Sequence, residues 1–152
     1  GFMKALVRGD LEAMNYYINK ISMSTFSYFA VSNGKTASQE PERFYHGFVL
    51  GLISGQGGQY EVRSNRESGF GRYDVMMIPV DRKSKLPAIV IECKVYNKSR
   101  EKTLEDSVNN ALKQIEDNNY DAELSNIGID RSQIKHYGFA FKGKEVLIGS
   151  GM

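Results

Sequence analysis

Glu92 and Lys94 stand two residues apart near the end of the run Ala88-Ile89-Val90-Ile91-Glu92-Cys93-Lys94-Val95. Side chains alternate across a strand, so as a strand this run puts the two charges on one face and Ile89, Ile91, Cys93 and Val95 on the other. The charged face begins with Ala88 and Val90, so a segment that is apolar on both sides turns charged only at its C-terminal end. Charge in an apolar setting is costly unless it is paired or binds a metal, which makes the placement informative. In the preceding run Arg72, Asp74, Met76 and Ile78 share one face, and a hairpin through Asp81-Arg82-Lys83-Ser84-Lys85 brings Asp74 beside Glu92. Two carboxylates then meet one lysine. Hard oxygen ligands of this kind suit Mg²⁺ or Mn²⁺, which takes one or two carboxylates, keeps several waters and bridges to phosphate oxygens. Such a cation lowers the pKa of a water and neutralises charge developing on a phosphate, while Lys94 orients or helps deprotonate the attacking water. The chemistry expected of Asp74, Glu92 and Lys94 is hydrolysis.

Elements on both sides must hold these residues in place. Behind Asp10 as N-cap, Leu11, Met14, Ile18 and Ile21 recur at helical spacing and predict a first amphipathic helix. Ser32-Asn33-Gly34-Lys35-Thr36 reads as a turn, and Pro41 opens a strongly apolar second helix that runs to Ile53 and ends at Gly55-Gln56-Gly57-Gly58. Three strands follow, Tyr60 to Asn65, Arg72 to Ile78 and Ala88 to Val95, the last apolar enough for the centre of a sheet covered by helices. Thr103-Leu104-Glu105-Asp106 has the form of a capping box with Asp in the final position, leading a helix with Leu104, Val108, Ala111, Leu112 and Ile115 on one face. Two strands close the chain, His136 to Phe141 and Glu145 to Ile148, around a turn at Gly143-Lys144. The order reads α-α-β-β-β-α-β-β, without repeats or low-complexity segments.

A chain of 152 residues suits one domain, here a helical extension over 1–40 and a core over 41–152. Its single cysteine, Cys93, excludes an internal disulfide, and two histidines leave a structural zinc site few ligands, so a reducing, cytoplasmic compartment fits best. No apolar run spans a bilayer and the first residues lack a secretory signal; the start on Gly1 is that expected of a piece of a longer polypeptide. The net charge of +2 does not by itself mark a nucleic-acid binder, so any such role rests on local groups.

Gly71-Arg72-Tyr73-Asp74-Val75 followed by Ile91-Glu92-Cys93-Lys94 resembles the PD-(D/E)XK nuclease superfamily, with an Asp on one strand and Glu-x-Lys on the next. More closely, the chain resembles the nuclease-like domain at the C-terminal end of bacterial AAA-ATPase-like proteins. The stretches that carry this are Glu40 to Gly47, Ser64 to Asp74, Asn119 to Ala122 and Tyr137 to Phe141. The resemblance runs from about Leu6 to Ile148. It implies an α/β fold with a restriction-endonuclease-like α-β-β-β-α-β core, a central mixed sheet flanked by helices. It also implies a metal-dependent nuclease acting on DNA, with RNA as the alternative substrate, and an ATPase domain as partner. Residue by residue, Asp74 and Glu92 match the metal-binding acids and Lys94 the catalytic lysine. Glu42 matches an acid that many members place on the helix before the sheet. Gln114 matches a helical glutamine found in part of the superfamily, although the tyrosine that usually follows it closely stands here only at Tyr120. Cys93 would reach the metal through its backbone carbonyl alone.

Other readings compete. A Glu-Lys pair on one face is often a solvated salt bridge. Glu42 equally suits the first turn of a helix, where the dipole favours an acid. Glu67 reads as a loop acid, and Arg63, Arg66 and Arg72 serve either as phosphate contacts or as ordinary hairpin arginines. Gly34-Lys35-Thr36 is no phosphate-binding loop, because Phe29 stands where its first glycine belongs. His46 and His136 read as structural, and Cys93, Met76 and Met77 as packing. As a whole the domain is also compatible with a nuclease-like nucleic-acid-binding or regulatory module. A third reading is a protein-interaction domain built on Tyr16, Tyr17, Phe26, Tyr28 and Phe29.

Overall fold

The apolar run at 88–95 becomes the middle strand of a five-stranded sheet in the computed structural model, which describes residues 1–33, 41–55, 58–67 and 72–151. Helices α1 (Phe2–Arg8), α2 (Leu11–Asn33) and α3 (Pro41–Ile53) precede strands β1 (Tyr60–Glu67), β2 (Arg72–Pro79) and β3 (Ala88–Val95). Helices α4 (Leu104–Asp117) and α5 (Tyr120–Asn126) and a 3₁₀ turn (Arg131–Gln133) lead to β4 (Ile134–Lys142) and β5 (Glu145–Ser150). The strands lie in chain order, with β1, β2 and β3 antiparallel, β3 and β4 parallel, and β4 and β5 antiparallel. A parallel step cannot be closed by a hairpin, and α4 with α5 forms the required crossover. The expected α-β-β-β-α-β core and mixed sheet between helices are thus present.

Alternation along the strands divides the interior in two. Val75, Met77, Ile89, Ile91, Cys93, Tyr137, Phe139 and Phe141 form one face, which packs against Leu6 of α1, Met14, Ile18 and Phe26 of α2, and Tyr45, Val49 and Ile53 of α3. Met76, Ile78, Ala88 and Val90 form the other, packed against Ile115 of α4 and Tyr120 and Leu124 of α5. The N-terminal helices therefore share the core of the sheet.

Helix α2 also covers the edge strand β5, whose outward amides and carbonyls would otherwise be open to pairing with another chain. Asn15 Nδ2 donates to the Ile148 carbonyl at 3.0 Å and its Oδ1 accepts from the Ile148 N–H at 2.8 Å. One turn on, Asn19 makes the same pair of bonds to Val146 at 2.7 and 2.9 Å, and Ser22 Oγ donates to the Lys144 carbonyl at 2.7 Å. On the opposite face, α4 comes unusually close to the sheet. Gly138 and Gly149 are cross-strand partners in β4 and β5, and a Cβ at either would collide with Val108 of α4, at 2.8 Å from its carbonyl oxygen and 2.5 Å from its Cγ1 respectively. Absent side chains here make a seat for the helix.

Local signals account for most boundaries. Asp10 Oδ1 accepts from the Ala13 N–H at 3.1 Å, and Thr103 and Asp106 form the reciprocal capping box that opens α4. Two helices were not expected. Gly9 in the left-handed conformation (φ 79°) ends α1 as a separate helix, and α5 is a short polar segment entered through Asn119 in the left-handed region (φ 55°). Helix α2 continues far past Ile21 because Ser22, which interrupts the apolar pattern, is itself buried against β5. Phe26 is buried among Phe44, Tyr45 and Phe48, and Tyr17 packs on the core, while Tyr16 is exposed. Ser32 and Asn33, expected to begin a turn, are instead the last residues of α2, and Glu67, expected in a loop, is the last residue of β1. The rest of that turn, Gly34-Lys35-Thr36, residues 56, 57 and 68–71, and the side chains of Tyr28, Phe29, Glu42, Arg66, Glu67 and Arg72 lie outside the described residues. Among the described residues no helix is long and apolar enough to cross a membrane.

Candidate active site

Asp74 of β2 and Glu92 of β3 are direct cross-strand partners, and both are only 3% exposed. They continue the sheet face that Met76 and Val90 begin, the face covered by α4 and α5. Two carboxylates held side by side out of water repel each other and are stable as anions only with donors or a cation nearby. One donor is the hydroxyl of Tyr120, at the first position of α5, which hydrogen-bonds to Asp74 Oδ2. Burial raises the pKa of this phenol, and its bond to the Asp74 carboxylate and that group's charge raise it further, so the hydroxyl stays a donor. Next to Glu92 on β3, and paired in register with Tyr73, Cys93 turns its thiol into the opposite core. Burial first, then the charges of Glu92 and Asp74, push that thiol far above its ordinary value, which leaves it inert as a nucleophile.

Lys94, two residues beyond Glu92, is one-third exposed, and its Nζ lies 2.9 Å from Oε2 of Glu101. Glu101 is 3% exposed and belongs to the loop between β3 and α4. Its Oε1 accepts from the Asn97 N–H at 2.9 Å and from Ser107 Oγ at 2.8 Å, while Oε2 also accepts from Asn110 Nδ2 at 2.8 Å. Burial alone would raise this carboxyl, but the bonds from Asn97, Asn110, Lys94 and Ser107 outweigh it and hold the pKa down at about 2.

The family model of the PD-(D/E)XK nuclease superfamily matches residues 40–151 of this chain. The chain belongs to that superfamily. No curated protein and no solved structure matches it. In this PD-(D/E)XK chain Asp74 and Glu92 come together as the sequence predicted, with Lys94 on the same strand face. Gln114 stands farther off. Its Nε2 donates to Asn118 Oδ1 at 3.1 Å, Asn118 Nδ2 donates to the Tyr120 hydroxyl at 3.2 Å, and Tyr120 donates to Asp74. Gln114 is thus linked to the acids through two intermediaries, and the displaced tyrosine at 120 reaches the site because α5 turns it back over the sheet. Glu42 lies in the first turn of α3, a helix whose buried residues pack on the other face of the sheet. His46 Nε2 and Ser64 Oγ are 2.6 Å apart, as are His136 Nε2 and Asp121 Oδ1, so both histidines are tied into local structure.

Among the described residues no cluster of three or more His, Cys, Asp or Glu side chains is poised to hold a metal. The donor set at the site is instead two buried carboxylates, which is the number and type that Mg²⁺ or Mn²⁺ takes when waters and phosphate oxygens complete its shell. By that chemistry the residues fit such a cation. Glu101 is not part of the set, because four donors on its two oxygens fill the acceptor capacity of a carboxylate. Glu101, Ser107 and Asn110 were missed in the sequence. Lys98-Ser99-Arg100-Glu101-Lys102 carries no motif or apolar period, and no spacing rule links it to Lys94.

Proposed function

We propose that this domain is a metal-dependent nuclease that hydrolyses phosphodiester bonds of DNA, with RNA as the alternative substrate. The observation that carries the reading is the cross-strand pair of buried carboxylates, Asp74 and Glu92, with Lys94 following on the same face. Membership of a nuclease superfamily supports it. Asp74 and Glu92 would hold Mg²⁺ or Mn²⁺, together with the Cys93 backbone carbonyl and Glu42. When bound, the cation lowers the pKa of a water and neutralises charge that builds on the phosphate. Lys94 presents its ammonium to the attacking water or to the phosphate, where it orients the one and stabilises the other. Tyr120 holds the Asp74 carboxylate in one orientation, and Gln114 and Asn118 hold Tyr120. The resemblance to the C-terminal domain of AAA-ATPase-like proteins supports an attached ATPase domain as partner, and the lone, buried cysteine fits a cytoplasmic setting.

The test is incubation of the protein with supercoiled plasmid and with single-stranded DNA and RNA in Mg²⁺, Mn²⁺ or EDTA, beside Asp74→Asn and Glu92→Ala. Nicking or degradation that needs the cation and disappears in both folded variants is the expected result. Full activity in Glu92→Ala would overturn the assignment. A folded wild-type protein that binds Mn²⁺ and nucleic acid yet cleaves nothing would instead mark a nuclease-like binding module.

A further inference from the structure

We infer that Glu101 is the positioning residue for Lys94, an inference that rests on the nuclease reading for its catalytic consequence but not for its structural one. A lysine side chain has four rotatable carbons, and at a half-open site it samples many rotamers unless something fixes its end. Glu101 is built to be that anchor. Its carboxylate is withdrawn from water and fixed from three directions by groups that do not depend on Lys94: the backbone of Asn97, and Ser107 and Asn110 on α4. The remaining acceptor site on Oε2 meets Lys94 Nζ at 2.9 Å. One of the three ammonium protons is thereby committed, and two remain for a water or a phosphate oxygen. The salt bridge also gives Lys94 a partner away from Glu92 and Asp74, the nearby carboxylates on its own sheet face. With Glu101 present, the lysine is held beside the two acids instead of collapsing onto them and competing with a cation.

The arrangement resembles the orientation of catalytic groups by a second polar partner, in which the partner touches neither substrate nor metal. It differs from a merely structural buried acid in one respect that can be measured. If Glu101 acts through Lys94, removing it should matter only while Lys94 is present.

Cleavage kinetics are therefore compared for the wild type, Glu101→Gln, Lys94→Met and the double variant, with folding checked by urea unfolding. Glu101→Asp serves as a second variant that keeps the charge but shortens the reach. The expected result for Glu101→Gln is a kcat at least about tenfold lower with KM changed less than about twofold, and for the double variant a kcat equal to that of Lys94→Met. Independent, additive losses in the double variant, or a folded Glu101→Gln with wild-type kcat, would overturn the inference. A second measurement needs no activity: ¹³C relaxation of the Lys94 Cε in lysine-labelled protein. The side chain should be ordered in the wild type and as mobile as an exposed lysine in Glu101→Gln; equal mobility in the two would sink the proposal even in an active enzyme. A wild type that cleaves no nucleic acid but shows this loss of order refutes the nuclease reading and leaves the positioning of Lys94 standing.

Discussion

Adding one methyl group at Gly138 should loosen the whole domain, whereas the same addition at Gly47 should tighten it. The Cβ of an alanine at 138 would lie 2.8 Å from the Val108 carbonyl oxygen, 3.2 Å from Ala111 Cβ and 3.3 Å from Leu112 Cγ. The first contact is about 0.5 Å inside ordinary van der Waals distance, and it is made to helix backbone, which cannot rotate away as a side chain can. Helix α4 must lift or β4 must bend. Overpacking of this kind costs ~1–3 kcal/mol. At Gly47, in the exposed interior of α3, a Cβ meets nothing within 4 Å, so alanine there should stabilise by ~0.5–1 kcal/mol through helix propensity. The two variants should thus differ by roughly 2–4 kcal/mol in urea unfolding. The chain has no Trp and nine Tyr, so tyrosine fluorescence and circular dichroism are the natural probes. In a domain of this size a difference of 1 kcal/mol moves Tm by ~2–4 °C. If Gly138→Ala unfolds at the same urea concentration as the wild type, the close seating of α4 on the Gly138 and Gly149 pair is wrong.

Tyr120→Phe removes the hydroxyl that donates to Asp74, and should lower stability by ~1–2 kcal/mol in urea and reduce metal-dependent cleavage; unchanged cleavage would remove Tyr120 from the site. Glu101 is held at about 2 against its ordinary 4.5, so the stability it contributes is complete above about pH 4.5 and is lost as pH falls toward 2. The stability gap between wild type and Glu101→Gln, on the order of 3 kcal/mol, should therefore close across that window, and a gap independent of pH from 6 to 2 would contradict the depressed value. Cys93 should react with a thiol reagent only on unfolding, and rapid labelling of the native protein at pH 8 would refute its burial beside the two acids.

Much of the fold was legible because the strands advertise which faces they bury. The period of two in 72–78 and 88–95 placed Asp74 and Glu92 on one face, and the hairpin through 81–85 brought them into register. Capping chemistry at Asp10 and Thr103 located two helix starts. What the pattern hid were residues that satisfy backbone or carboxylate groups of distant segments. Asn15, Asn19 and Ser22 look like polar interruptions of an amphipathic helix, yet they bond to a strand more than 120 residues away. Gly138 and Gly149 look like weak points of two strands, and their purpose is visible only once Val108 lies on them. Helix α5 escaped because it is seven residues long and entered through a left-handed asparagine.

The glycine pair, the donors to Glu101 and the tether to Tyr120 converge on α4, and that convergence explains how the charged end of a short apolar strand is held as a candidate site. The first turns of α4 carry Ser107 and Asn110, which fix Glu101 and through it Lys94. Its last turn carries Gln114, which bonds to Asn118 just beyond and so to Tyr120 and Asp74. One rigid element thus sets both the lysine and an acid, about two helical turns apart along its axis. Both sets of bonds need α4 to lie close on the sheet, and the seat that allows this is the glycine pair in β4 and β5. A substitution at Gly138 should for this reason disturb the site as well as the fold, although Gly138 is paired in register with Glu92 and offers no side chain of its own. A milder way to separate the two effects is Val108→Ala, which keeps the seat open but removes side-chain packing against it. It should lower stability by ~0.5–2 kcal/mol while Glu101 and Lys94 stay engaged, so cleavage at low temperature should persist. Loss of cleavage from a folded Val108→Ala protein would show that the seating of α4, beyond the bonds it carries, sets the geometry of the acids and the lysine.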